Sequence, residues 1–547
     1  MNIHLGTIGR LRKASVVWFL SAAISFPAIA RAATGALYKP NSGPSLTGKH
    51  YAAFWGDLSP GEYGVGYSSK WAFDSSRQFT FRGSKLSHRL PGKRPRPVLI
   101  DIWYPAQDHS GSRLRLRDYL SIPPLKSLVA LSQYLAAENR SVLEGSLSGT
   151  AREKQETLKR MLETHVASAV RTKPALGHFP LVIYVHGFGS STDDNSVLCE
   201  WLASHGYVVV TSAFQGEQGE MIGSADDVDG DIDFIIHYAD SLSFVDSREI
   251  ALIGHSGGAQ NAIVYVSKHP TRLNALISLD TTEDYHALNF RGHRDYVRDV
   301  VTPDITVPML VAARPEAIFS LMDKCMKSAR LYLTIRDLHH EEFISQGVVS
   351  DEYGRAGNVK VRHKYKTLCE FMLAFLDASL KRQPKMYQTM LSAFAPPAFE
   401  TRDLNVEIMP SGASSPPRYD ENIWIPPTPR QIHQIASVSG SNSALRLLKK
   451  FWRPGSFSPI YAEQFAYSLV DEFLESGRVD DARLISNWYQ SAASISVASQ
   501  YINWGDLSAQ LKSPSTAAEF YRRALALDPD NAEATSKLSK LPEKTTK

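Results

Sequence analysis

Cysteine is scarce in this chain. Cys199, Cys325 and Cys369 are the only three in 547 residues, widely separated and with no Cys-x-x-Cys pair. They permit one disulfide at most, so a disulfide scaffold is excluded and stability must come from a core. All three read as buried structural thiols. An excess of charge is lacking too: 60 basic against 56 acidic residues leave a formal charge of +4. No basic run interleaved with aromatics occurs, which argues against a nucleic-acid partner. Beyond the N-terminus no apolar run approaches the length of a transmembrane helix.

What is present is the composition of an ordinary globular protein, 43% hydrophobic and 21% charged. The length exceeds what one core supports, so two or three domains are expected. Arg10, Arg12 and Lys13 precede an apolar stretch from about Ala14 to Ala30, and Ala28-Ile29-Ala30 and Ala30-Arg31-Ala32 both fit a small-x-small cleavage site. A membrane anchor would need a longer run, and this one is broken by Ser15, Ser21, Ser25 and Pro27. Residues 1–32 therefore read as a signal peptide, and the mature chain as exported, periplasmic or secreted, with no transmembrane anchor after cleavage.

From Arg96 onward short apolar runs alternate with helical segments. The runs are PVLIDIWYPA (97–106), PLVIYVHGFG (180–189), GYVVVTSAF (206–214), REIALIGHSGG (248–258), LNALISLD (273–280) and VPMLVAA (307–313). This alternation predicts βαβ units and a mostly parallel sheet, whose ligands bind beyond the carboxyl ends of the strands. Between them, residues 107–176 carry no strand signal but include LKSLVALSQYLAAEN and REKQETLKRMLETHVAS. They read as a helical, cap-like insertion into a domain spanning 33–394. Residues 395–440 are rich in Pro and Ser and read as a linker or extended crossing segment.

The remainder, 441–547, is helical. In residues 501–531, Tyr501, Gly505, Ala517, Tyr521, Ala524 and Pro529 sit at the offsets of a tetratricopeptide repeat. Ala482, in a looser preceding copy, lies 35 residues before Ala517, close to the repeat length of about 34. Two units fall short of an independent array, and a protein partner is the function such repeats would serve.

The chemistry concentrates on Gly254-His255-Ser256-Gly257-Gly258. Gly-x-Ser-x-Gly alone is weak, and a plain glycine-rich bend would also fit. Here the serine follows a predicted strand and opens a predicted helix, the context of a nucleophile elbow. A serine hydroxyl needs a base, and the base an orienting acid, in the chain order Ser, acid, His for an α/β-hydrolase fold. His339 and His340 in LTIRDLHHEEF follow the last strand-like run, and one of them is the candidate base. Asp280, closing LNALISLD, and Glu316, after VPMLVAARP, are the two candidate acids. An oxyanion hole would draw amides from Gly257, after the nucleophile, and from Phe188 in the turn His186-Gly187-Phe188-Gly189. The spacing His-Glu-x-x-His is absent, since Ile344 stands four residues after His340, so a zinc site is not expected. Neither metal nor cofactor is called for.

With these pieces assembled, residues 58–380 resemble the plasma/type II platelet-activating-factor acetylhydrolase family, near the dienelactone-hydrolase-like esterases. The resemblance rests on SPGEYGVGY (59–67), DIWYPAQD (101–108), PLVIYVHGFGSS, LASHGYVVV, GHSGGA and TIRDLHHEEF. It implies that His340, with Phe343 three residues on, is the base in place of His339. It also implies that Asp280, in the family's Leu-Asp, is the acid. QGEQGEMIG after GYVVVTSAF, and Thr-Thr-Glu after Leu-Asp, depart from the family pattern at positions that would touch substrate. The expectation is an exported serine carboxylic-ester hydrolase acting through an acyl-enzyme on a small-molecule or lipid ester, short-acyl or phospholipid-like. A serine peptidase or lipase of the same fold, and a non-catalytic assembly protein using its repeats, are the alternatives.

Overall fold

The computed structural model describes residues 54–79, 94–107, 111–124, 126–216, 222–285, 300, 302–315, 317–353, 359–393, 404–413, 429–451, 466, 469–470, 473–474, 476–492 and 498–541. The predicted signal peptide and Glu316 lie outside these residues. Two compact units divide the chain. The first comprises residues 1–281, 299–314 and 325–413, and the second residues 282–298, 315–324 and 414–547.

The first unit is built on an 11-stranded sheet. Its strands are β1 (Gly64–Phe79), β2 (Arg94–Ala106), β3 (Ser112–Arg115), β4 (His165–Val170), β5 (Phe179–Val185), β6 (Val208–Thr211), β7 (Val245–His255), β8 (Ala275–Leu279), β9 (Met309–Ala313), β10 (Arg330–Ile335) and β11 (Leu404–Met409). They run in the order β11-β10-β9-β8-β7-β5-β6-β2-β1-β4-β3. Strands β10 through β6 in that order are parallel, and β11 and β2 pair antiparallel at either side.

Burial explains why the apolar runs were legible. Every residue of β5 is buried, as a central parallel strand with both faces covered requires. Alternate residues Val182, Tyr184, Ala251, Ile253, Ile277 and Leu279 join one core with two helices, α3 (Ser196–Ser204) and α6 (Val359–Ser379). In α6 the buried positions Val361, Tyr365, Leu368, Met372 and Phe375 recur at helical spacing, one stripe laid on the sheet. The intervening positions Leu181, Ile183 and Leu252 are equally buried. Toward that other set lie α4 (Ala225–Asp240) and α5 (Gly257–Lys268), which pack together with Tyr265 donating to Asp233 at 2.7 Å. Arg96 of β2 forks onto Asp231 of α4 at 2.6 and 2.7 Å, tying helix to sheet. Cys199, Cys325 and Cys369 are all buried and none is in a disulfide, and burial pushes the thiols of Cys199 and Cys369 up. The topology is that of an α/β-hydrolase.

Segment 107–176 is more mixed than its sequence pattern. It contains α1 (Val129–Gly145) and α2 (Ala151–Glu163), and also the two short strands β3 and β4. Thr150 caps α2, its side chain accepting from Glu153 N, and the helix stops at Glu163. His165–Val170 then extends as a strand beside β1, so the apparent helical pattern through Ser168 spans a helix and a strand. Within 395–440, Leu404–Met409 pairs along the whole of β10, and Pro429–Ser439 is helical.

The second unit is helical among its described residues. Ile432, Ala436, Leu448, Ile485, Trp504 and Leu507 form its core, with Tyr489 stacked on Trp504 at 4.9 Å. Tyr501 and Gly505 fall in helix Ala498–Gln510, and Ala517, Tyr521 and Ala524 in helix Pro514–Leu527. Tyr521 donates to Asp506 at 2.6 Å across this pair.

Candidate active site

Ser256 stands between β7 and α5 with φ 53° and ψ −123°, a conformation that costs a non-glycine residue energy and persists only where the surroundings impose it. The imposition is visible. Ser256 N donates to Leu279 O of the neighbouring strand at 3.0 Å. A Cβ on Gly254 would lie 2.5 Å from Ala259 N, and one on Gly258 2.1 Å from Val185 O. Strand and helix are therefore closer than any side chain at those two positions would allow, which lifts the serine clear at the strand's carboxyl end.

Asp280 directly follows β8 and is also held at positive φ, 44°, with its amide donating to Ala312 O at 2.7 Å. Its side chain is fully buried. His340 opens a short turn after β10, and its Nδ1 donates to Asp280 Oδ2 at 2.7 Å. A carboxylate only accepts, so the tautomer with the proton on Nδ1 is assigned and Nε2 carries the free lone pair. His340 is partly exposed and His339 exposed; the backbone amide of His339 instead donates to Glu342 Oε2 at 2.6 Å. Thus the structure brings Asp280 to His340 and leaves His339 in solvent.

The His340 ring also lies against His255, the residue before Ser256, with centroids 4.6 Å apart. This contact brings His340 beside the turn that carries Ser256. No hydrogen bond joins the Ser256 hydroxyl to the His340 ring among the described residues; such bonds tighten when substrate arrives.

The turn after β5 completes the site. Gly187 is near enough to Ser256 that a Cβ on it would lie 3.2 Å from the serine Cβ. Ser190 N donates to Gly187 O at 3.2 Å, closing the turn that carries Phe188. Phe188 is 51% exposed, and its ring lies where a Cβ on Gly257 would fall, 2.1 Å away. The two residues expected to supply oxyanion amides are therefore side by side next to Ser256. His186 beneath them is buried, and burial holds its imidazole below the usual range. The following segment anchors the base loop: Gln346 N donates to Asp194 O at 2.8 Å, and Ser345 N to Asn195 Oδ1 at 3.0 Å. Burial pushes the carboxyl of Asp194 up to about 7 and that of Asp193 up to about 6.

Two participants were not read from the sequence. Arg314, just past β9, donates from Nε to Asp280 Oδ1 at 3.1 Å, so the acid is gripped from both sides. Its signal was an arginine at the carboxyl end of a parallel strand. His255 was read only as part of the GHSGGA motif, with no role of its own. Among the described residues no three His, Cys, Asp or Glu converge as a metal site, and no helix is long and apolar enough to cross a membrane.

Comparison with known proteins follows this geometry. Residues 148–287 match the family model for chlorophyllase. The matched stretch holds Phe188, Ser256 and Asp280, and ends before His340. A ferulic acid esterase from Streptomyces cinnamoneus is similar in structure at 18% identity and a TM-score of 0.42, over 64% of this chain and 98% of that one. No curated protein matches the chain.

Proposed function

We propose that this protein is a serine carboxylic-ester hydrolase working through an acyl-enzyme. The observation that carries the reading is the Asp280–His340 pair at 2.7 Å, set beside a serine held at φ 53° on a strand-to-helix turn. Ser256 Oγ attacks the ester carbonyl as His340 Nε2 takes its proton, and Asp280 stabilises the imidazolium that forms. The Phe188 and Gly257 amides receive the developing oxyanion. Collapse expels the alcohol, which takes the proton back from His340. Water then repeats the sequence on the acyl group and releases a carboxylic acid and free Ser256. Arg314 steadies the acid without contacting substrate.

The exposed Phe188 ring offers an apolar face at the nucleophile, which favours an apolar acyl or alcohol group over a charged one. The match to the chlorophyllase family supports an ester, and the likeness to the acetylhydrolase family directs the reading to short-acyl or phospholipid-like esters of an exported enzyme. The C-terminal helices supply a tetratricopeptide-like surface for a protein partner in this reading. The test is a panel of esters graded by acyl length, with amides and peptides included, on protein lacking residues 1–32. Turnover of esters that Ser256→Ala abolishes is expected. Retained turnover in Ser256→Ala, or peptide cleavage without ester cleavage, refutes the proposal.

A further inference from the structure

We infer that His255 is a positioning residue for the base, a second imidazole that fixes the His340 loop against the turn carrying Ser256. This rests on the reading of Ser256 and His340 as the nucleophile and base.

His255 closes β7 directly before Ser256. Its ring is buried and lies against both the ring and the backbone of His340. Nε2 donates to the backbone carbonyl of His340 at 3.1 Å. That bond requires the proton on Nε2, because a carbonyl oxygen only accepts. The ring face lies against the His340 ring, 4.6 Å between centroids and 34° between planes. On the other side Nδ1 has no hydrogen-bond partner and sits 3.3 Å from the position of a Cβ on Gly187. One side chain therefore spans from the turn carrying Phe188 to the loop carrying the base, and begins on the residue adjoining the nucleophile.

Two consequences follow. First, the His340 backbone cannot retreat from Ser256 without breaking a hydrogen bond to a buried group. The imidazole is then fixed at both ends, by Asp280 at its ring and by His255 at its backbone. Second, burial, together with the nearby His340, holds the His255 imidazole down to about 3, so the ring stays neutral. A neutral ring adds no like charge when His340 accepts the serine proton. A permanently apolar ring in its place would pack but would make no bond to the His340 carbonyl.

The experiment compares His255→Leu, His255→Gln and His255→Asn in the full-length mature chain. Gln places an N–H near the reach of Nε2, whereas Asn stops near the reach of Nδ1. Folding is followed by thermal melting. The rate of Ser256 labelling by a fluorophosphonate, in which the Oγ–P bond forms, fluoride departs and His340 takes the proton, reads the pair without needing the natural substrate. The kcat and KM for a p-nitrophenyl ester are measured alongside. Labelling and kcat of folded His255→Leu are expected to fall on the order of 10- to 100-fold, with KM within about threefold, and His255→Gln to recover most of the loss. Wild-type labelling rates in His255→Leu overturn the inference, and so does a loss that His255→Gln does not restore. If His255→Leu fails to fold, the comparison of Gln with Asn decides: a fast Gln and a slow Asn support the role, and equal rates overturn it. Wild-type protein that fluorophosphonate does not label at all refutes the hydrolase reading itself, and this inference with it.

Discussion

Replacing Gly258 by alanine tests the elbow more directly than removing the nucleophile does. An added Cβ would lie 2.1 Å from Val185 O and 2.4 Å from His186 O, both backbone atoms of the strand that leads into the oxyanion turn. Ordinary carbon–oxygen contact needs a separation about 1 Å greater, and neither partner is a flexible side chain that could swing away. The displacement must be taken by α5 or by the end of β5. Either moves Ser256 relative to Phe188, and misplacement by about 1 Å typically costs on the order of 100-fold in rate. Overpacking of this kind should also cost roughly 1–3 kcal/mol of stability. Gly145 provides the control, since a Cβ there would meet nothing within 4 Å. Gly145→Ala should keep full activity and melt at the same temperature or slightly higher. Thermal melting and p-nitrophenyl ester kinetics on both variants make the measurement. A folded Gly258→Ala with wild-type kcat would show that strand and helix are not pinned together there, and the strained placement of Ser256 would lose its explanation.

Three further outcomes are expected. Asp280→Asn should lower kcat/KM by about 10³–10⁴-fold while Glu316→Gln stays within about threefold; the reverse pattern would move the acid to Glu316. Arg314→Leu leaves the Asp280 carboxylate less compensated, which favours the imidazolium form of the base, so the acid limb of the pH–kcat/KM profile should move upward by about one pH unit, and an unmoved limb would refute the grip on Asp280. Asp194 has its folded value raised by burial to about 7, above the unfolded carboxylate value near 3.9, so the folded state holds its proton more tightly and this group's contribution weakens as pH rises from about 4 to 7. Asp194→Asn should therefore stabilise the protein at pH 8 by roughly 1–3 kcal/mol in urea unfolding and give little gain at pH 4; equal gains at both would sink the assignment.

The elbow could be read from the sequence because its determinants are local. EIALIG is apolar enough to be a buried strand, AQNAIVYV follows with helical spacing, and the two glycines flank the serine at fixed offsets. The central strands were legible for the same reason: a parallel strand covered on both faces is an unbroken apolar run. Strands β3 and β4 were not. Val166 to Val170 is short and rich in alanine, and directly follows a helix, so periodicity cannot separate it from another helical turn. Strand β11 was hidden differently, lying in a stretch whose Pro and Ser content reads as a linker although Leu404 to Met409 pairs along all of β10.

Partners that depend on tertiary proximity were the least legible. Nothing adjacent in sequence ties Arg314 to Asp280; the link arises because β8 and β9 are neighbours that end together, which places the residues just after each strand side by side. His255 is brought to His340 differently: β8 and β9 lie between β7 and β10, so the loop after β10 must reach back across the strand ends to meet it. The motif GHSGGA gave it no role, yet in the fold it is where a side chain beside Ser256 meets the loop of His340. The same burial that keeps its ring neutral makes its hydrogen bond to His340 costly to lose. A sequence pattern thus singled out Ser256, Asp280 and His340, whereas the side chains that hold them, Arg314 and His255, emerged only from which strand ends and loops meet at the carboxyl edge of the sheet.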